Sequence, residues 1–292
     1  MVAIFALGSS IFNSLAIFFT RVGLRRYSLF SAFVISLVPL LLFSITLALF
    51  TVPLDQFARP EVIYFIAAGF MGPFIARFLL YIGLDRVGAS ITSPIHATKS
   101  LFATLAAIVV LGENLTLSIA LGILLIVIGA VSISSEESGG TIEKEWSKKD
   151  LLFPIMSSVC LGIANLFRKL GLNALPSPVM GLAVQNITAL VFLPVLILAQ
   201  QNTPKAISTE KRAWFIFCLA GLSLVSSQLC MYYALNLGQV MIAIPLSSLN
   251  PLFVLILVGV FLKKVERLTL KIVLGTIFIM GGAIVLTVKS LG

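Results

Sequence analysis

Charged side chains are scarce in this chain. Asp, Glu, Lys and Arg make up 11% of its 292 residues, where a soluble domain carries about a quarter. Hydrophobic residues reach 59% and the mean hydropathy is +1.13. That balance excludes a soluble globular fold, and with it a soluble enzyme. Acidic residues are the rarer charge, and all of them fall in loops or at the edges of apolar runs. Cysteine is nearly absent: Cys160, Cys218 and Cys230 are odd in number, lie inside apolar runs and lack ligand spacing, so they read as packing residues and no metal is expected. No Walker A pattern occurs, and no Ser/His/Asp set stands out, so neither an ATP-driven engine nor a cofactor is expected. Histidine occurs once, as His96.

What is present is a series of long apolar runs. Ten spans are read, at roughly 1–20, 29–50, 62–84, 88–111, 115–133, 151–170, 178–199, 213–236, 239–262 and 268–288. Most are long enough to cross a hydrocarbon layer about 30 Å thick as helices, and they lack the strict alternation of barrel strands. An all-α membrane protein follows. The first run has no basic segment before it and no small-residue cleavage pattern after it, so it is expected to be retained.

The chain repeats itself. ENLTLSIALG (113–122) and ERLTLKIVLG (266–275) agree at seven of ten positions. Upstream, Tyr81, Leu84, Pro94, Leu101 and Phe102 match Tyr232, Leu235, Pro245, Leu252 and Phe253, and RVGL (21–24) echoes KLGL (169–172). Two five-helix units are expected, 1–133 and 151–292, joined by a polar linker at 134–150. Five is odd, so the second unit enters the membrane from the opposite side, giving two inverted five-helix repeats.

The net charge of +9 is a topology signal, not a nucleic-acid footprint. Loops after odd-numbered spans carry thirteen Lys/Arg, Arg21 among them; the other side carries four, Arg59, Arg168, Lys169 and Lys289. The positive-inside rule then places both termini outside.

The whole chain resembles the drug/metabolite transporter superfamily, in its EamA type. The resemblance rests on LYIGLDRVGAS…SPIHATKSLFATLAAIVVLGENLT and on its partner YYALNLGQV…IPLSSLNPLFVLILVGVFLKKVERLT. It implies a secondary transporter for metabolite or amino-acid efflux, or exchange, by alternating access. It also implies cytoplasmic termini, against the charge count. Lys99-Ser100 departs from the pattern of Asn250-Pro251, and Lys263-Lys264 replaces the small residue before Glu266. The first span lacks the membrane carboxylate on which small multidrug members rely, which argues against proton-coupled export of cationic drugs. The expected setting is the cell (plasma or inner) membrane, as monomer or homodimer, with a small-molecule substrate and the lipid bilayer as partners.

Three basic residues lie well inside spans: Arg77, His96 and Lys99. An ionised side chain at mid-bilayer costs at least about 2.5–3.5 kcal/mol, and no carboxylate lies at matching depth. In the repeat alignment they face Gln228, Ser247 and Asn250. These six are the candidate substrate-binding residues: Lys99 and Arg77 clamp a carboxylate or phosphate, His96 hydrogen-bonds it, with proton carriage as a second candidate role, and Gln228, Ser247 and Asn250 grip the polar remainder. Ser93, Thr98, Ser248, Asn165, Gln185 and Asn186 are candidate helpers. Simpler readings compete: Arg77 snorkelling to the interface, and His96 bonded to a carbonyl. Glu113 and Glu266 read as caps at helix N-termini, with proton coupling the alternative. Gly122/Gly129 and Gly275/Gly282, seven apart, read as close-packing faces, and Pro94 and Pro245 as kinks. The expected cargo is a small anionic or zwitterionic metabolite, such as an amino acid or an organic or phosphorylated acid. The alternatives are a flippase for a lipid or lipid-linked phosphate and a non-transporting scaffold or sensor.

Overall fold

The computed structural model describes residues 1–111, 117–134, 140–141, 146–195, 207–263 and 265–288. The described chain is almost entirely helical. In order it forms α1 (Val2–Leu24), α2 (Leu29–Thr51), α3 (Val62–Arg86), α4 in two halves (Ala89–Ala97 and Lys99–Leu111), α5 (Leu117–Ser134), α6 (Leu152–Ala174), α7 (Pro178–Val191), α8 (Lys211–Leu237), α9 in two halves (Val240–Ser247 and Asn250–Phe261) and α10 (Leu270–Val288). Eight of these regions are long and apolar enough to cross a membrane; the apolar cores of α5 and α10 are shorter. The result is an all-α membrane protein of two inverted five-helix repeats.

The repeat is visible in the packing. α1 runs along α8 and α6 along α3, while α5 and α10 pack on each other. Each relation survives exchange of α1 with α6, α3 with α8 and α5 with α10. The glycine reading holds at the α5–α10 seam: a Cβ on Gly129 would meet the Gly275 carbonyl at 2.5 Å, and one on Gly282 would meet the Gly122 carbonyl at 2.6 Å. Only hydrogen at these positions lets the two backbones approach so closely.

Three helices are irregular, and their sequences say why. α4 and α9 break after Pro94 and Pro245, at Thr98 and at Ser248–Leu249. Hydroxyls serve the carbonyls at the breaks: Thr98 and Ser158 donate to the Ile95 carbonyl, and Ser247 and Ser248 to that of Ile244. In α3 a π-helical turn spans Phe70–Ala76, around Pro73. A proline lacks the N–H that a regular turn needs, and a widened turn absorbs the loss.

Glu266 does cap a helix, but not the one expected. Its Oε1 accepts from the Ala89 N–H and its Oε2 from the Ser90 N–H, both at 2.8 Å, at the start of α4 in the other repeat. Arg21 Nε donates to the same carboxylate at 2.7 Å, with both side chains buried. Gly88 turns the chain there with φ +87°, and a Cβ on it would lie 2.9 Å from the Glu266 carboxyl carbon. Arg21 is therefore a buried residue of α1 and not a loop cation, because α1 continues four residues past the expected end. Glu113, the repeat mate of Glu266, lies outside the described residues. A short antiparallel pair, β1 (Gly140–Thr141) with β2 (Glu266–Arg267), ties the linker to this corner, and an Arg86–Asp150 ion pair of 2.6 Å ties the end of α3 to the start of α6.

Candidate functional site

Between α1, α3, α4, α6 and α8 lies a cavity of about 80 Å³, room for several waters. Its wall draws on both repeats. α1 contributes Ser9, Asn13 and Thr20; α3 contributes Gly72, Ala76, Arg77 and Tyr81; α4 contributes His96 and Lys99; α6 contributes Asn165 and Arg168; α8 contributes Ser227 and Gln228. Four of the six expected residues, Arg77, His96, Lys99 and Gln228, therefore meet in one chamber.

Ser247 and Asn250 are not among the residues that line it. The Ser247 hydroxyl donates to the Ile244 carbonyl in its own helix. Asn250 Nδ2 donates to Ser93 Oγ at 3.2 Å, and its carbonyl accepts from Ser14. Both residues are buried at the place where α9 breaks, and Asn250 Oδ1 has no hydrogen-bond partner among the described residues. Of the expected helpers, Asn165 reaches the cavity, Gln185 stands behind it, and Thr98 and Ser248 bond within their own helices.

Arg77 turns inward and does not snorkel. Its Nη2 donates to the Phe33 carbonyl at 2.9 Å and to Ser36 Oγ at 2.7 Å. The guanidinium lies over the Phe33 ring at 4.6 Å and the Tyr81 ring at 5.4 Å, a cation–π setting that holds it flat. Nε and Nη1 are buried and have no hydrogen-bond partner. Each unmet buried donor costs about 1–3 kcal/mol. Two such donors on one fixed guanidinium leave an unmet demand for an acceptor.

Arg168 is the residue that the sequence reading misplaced. Counted there with the loop cations, it sits in α6, 5% exposed, in the cavity wall. Asn165 Oδ1 accepts from its Nη1 at 2.8 Å, Gln185 Oε1 from its Nε at 3.1 Å, and the Tyr232 ring lies 5.5 Å away. Gln185 in turn donates to Gln228 Oε1 at 3.0 Å and accepts from the Tyr232 hydroxyl. In the repeat alignment Lys169 pairs with Arg21, so one residue upstream Arg168 pairs with Thr20, and the structure places both in the cavity wall.

Lys99 is buried, 4% exposed, and feels the Arg168 charge. No described group hydrogen-bonds its ammonium. His96 stands one turn away, with Nδ1 3.1 Å from Ser157 Oγ. Among the described residues, three cations and one imidazole thus line the chamber and no carboxylate does.

Comparison with known proteins agrees with this architecture. One solved structure, titled only as the crystal structure of a protein, superposes with a TM-score of 0.63 over 97% of both chains at 15% identity, which speaks to the fold alone. An uncharacterized protein of Methanocaldococcus jannaschii is 27% identical over 140 residues, 48% of this chain and 97% of that one. The profile described as the EamA-like transporter family matches twice, at residues 1–135 and 148–288. With two matches that together cover most of its length, the chain belongs to the EamA-like transporter family, a family of multi-pass membrane transporters of small molecules.

Proposed function

We propose that this protein is a secondary transporter of a small anionic metabolite, an organic or phosphorylated acid, bound between the two repeats and moved by alternating access. The observation that carries this reading is the convergence of Arg77, whose guanidinium keeps two unpartnered donors, with Lys99 and Arg168 on one chamber among whose described lining residues there is no carboxylate. A carboxylate or phosphate supplies what that guanidinium lacks, since planar N–H donors match two oxygens of such a group. Lys99 adds a mobile point charge, and Arg168, already half-satisfied by Asn165 and Gln185, adds a fixed one. Gln228, Ser9, Asn13 and Ser227 offer hydrogen bonds to the uncharged remainder. Of the two cargo classes the sequence suggests, the anion is favoured over the zwitterion, because no described lining carboxylate is there to receive an ammonium.

Thermal unfolding of the purified protein in detergent tests this. Inorganic phosphate or succinate should raise the melting temperature, and organic cations should not. Lys99→Ala and Arg77→Gln should each weaken anion binding by roughly ten- to hundredfold, the loss of one charge-assisted bond worth about 1.5–3 kcal/mol. Stabilisation by organic cations with no response to anions would overturn the reading.

A further inference from the structure

The imidazole of His96 is held in one tautomer. Ser157 Oγ lies 2.6 Å from the Ala76 carbonyl and 3.1 Å from His96 Nδ1. A carbonyl only accepts, so the single hydroxyl hydrogen of Ser157 is committed to Ala76. The contact with Nδ1 is then a hydrogen bond only if the imidazole donates it. A neutral imidazole with its hydrogen on Nδ1 carries a bare lone pair on Nε2. No described group hydrogen-bonds Nε2, and His96 is part of the cavity wall. The chamber that gathers cations therefore also presents one proton acceptor.

The charges around that acceptor decide when it is used. Lys99 stands on its own helix, Arg77 and Tyr81 face it from α3, and Arg168 from α6. α1 and α8 offer the cavity only neutral groups, Ser9, Asn13, Thr20, Ser227 and Gln228. Two carboxylates belong to segments packed on this half of α4 and neither lines the cavity: Asp85 ends α3, and Glu266 is engaged by Arg21 and the Ala89 and Ser90 N–H groups. Lys271, on α10, is exposed. A proton on Nε2 would add a fourth positive charge to an empty chamber, which Coulomb repulsion disfavours. An anion in the chamber reverses that balance.

We propose that His96 Nε2 is the proton-accepting group of this cavity, so that the protein binds its anion together with one proton. This rests on the anion reading above. The step is a proton transfer alone: an O–H bond of a hydronium ion breaks as the Nε2–H bond forms, leaving a water molecule, and no other bond changes. Anion and proton binding favour each other by the same factor, as linkage requires. A dianion so accompanied crosses with one less net negative charge.

The lone histidine makes this directly measurable. In protein labelled with ¹⁵N-histidine, both ring nitrogens give resonances from His96 alone. Without ligand, Nδ1 should be protonated and Nε2 bare, and Ser157→Ala should release a mixture of tautomers. Added inorganic phosphate should protonate Nε2, and calorimetry in buffers of different ionisation enthalpy should register about one proton taken up per phosphate dianion bound. His96→Gln should bind phosphate more weakly and take up none. A wild-type ring protonated on Nε2 and bare on Nδ1 would overturn the proposal, as would phosphate that stabilises the protein while the ring stays neutral; the anion reading survives both. If neither phosphate nor succinate binds the wild type, the anion reading fails and the coupling falls with it.

Discussion

Glu266 and Arg168 show how much one residue's neighbours decide. Both are buried charges in an apolar chain, yet they belong to different kinds of site. Glu266 is fully engaged: one guanidinium donor and two N–H groups meet its two oxygens, and it does not line the cavity. That is a structural cap joining α1, α4 and the loop before α10, and it leaves no free oxygen for a travelling proton. Neutralising it should cost stability. Glu266→Gln should lower the melting temperature markedly, since breaking a buried ion pair costs about 3–5 kcal/mol, while Asp55→Asn, exposed on a short 3-10 turn after α2, should not. A Glu266→Gln protein that melts with the wild type but loses transport would instead assign the carboxylate to the transport cycle. The sequence exposed Arg77, His96 and Lys99 because they interrupt apolar runs. It hid Arg168 because RKLGL near a run's end reads like a boundary, and only the three-dimensional course of α6, which continues to Ala174, puts that boundary elsewhere.

At the scale of elements, the α5–α10 seam carries the most specific expectation. Gly281 and Gly282 are adjacent in α10, and alanine is the better helix former at both. Their surroundings are opposite. A Cβ at Gly282 would meet the Gly122 carbonyl and Ile126, whereas one at Gly281 meets nothing within 4 Å. Gly282→Ala should therefore destabilise by about 1–3 kcal/mol through overpacking, read as a lower melting temperature, and Gly281→Ala should be neutral or slightly stabilising. Equal behaviour of the two would mean that the helices do not meet along this face. The seven-residue spacing made the seam legible in the sequence, because two turns of a helix return a residue to the same side. The π-turn of α3 was less legible. Pro73 announces an irregularity, but how the chain absorbs it depends on what packs alongside. Here Gly72 faces Arg168 Nη2, and a Cβ there would stand 3.2 Å from that atom. The breaks in α4 and α9 were foreseen as proline kinks, and their hydroxyl partners, one of them Ser158 on a third helix, were not.

The whole molecule is two inverted units around one chamber, and charge gives one expectation for its orientation. With Arg21 and Arg168 both buried, each side of the membrane loses one cation from the count and the asymmetry stands. The excess still lies on the loops after α1, α3, α5, α7 and α9, so these are expected in the cytoplasm and the termini outside. The family resemblance implies the reverse, which makes orientation a matter for direct labelling. Asp55 follows α2 and Thr209 precedes α8, so they lie on opposite sides, and both are exposed. Cys160, Cys218 and Cys230, all within helices, can be replaced by alanine to give a silent background. In intact cells an impermeant thiol reagent should then label a cysteine at position 55, and one at position 209 only after the membrane is opened. The reverse pattern would invert the orientation and leave the cavity untouched, because the chamber is built from α1, α3 and α4 of one unit and α6 and α8 of the other. The proposed alternating access requires that its cations meet water from each side in turn, and the inverted repeat offers two equivalent bundles for it.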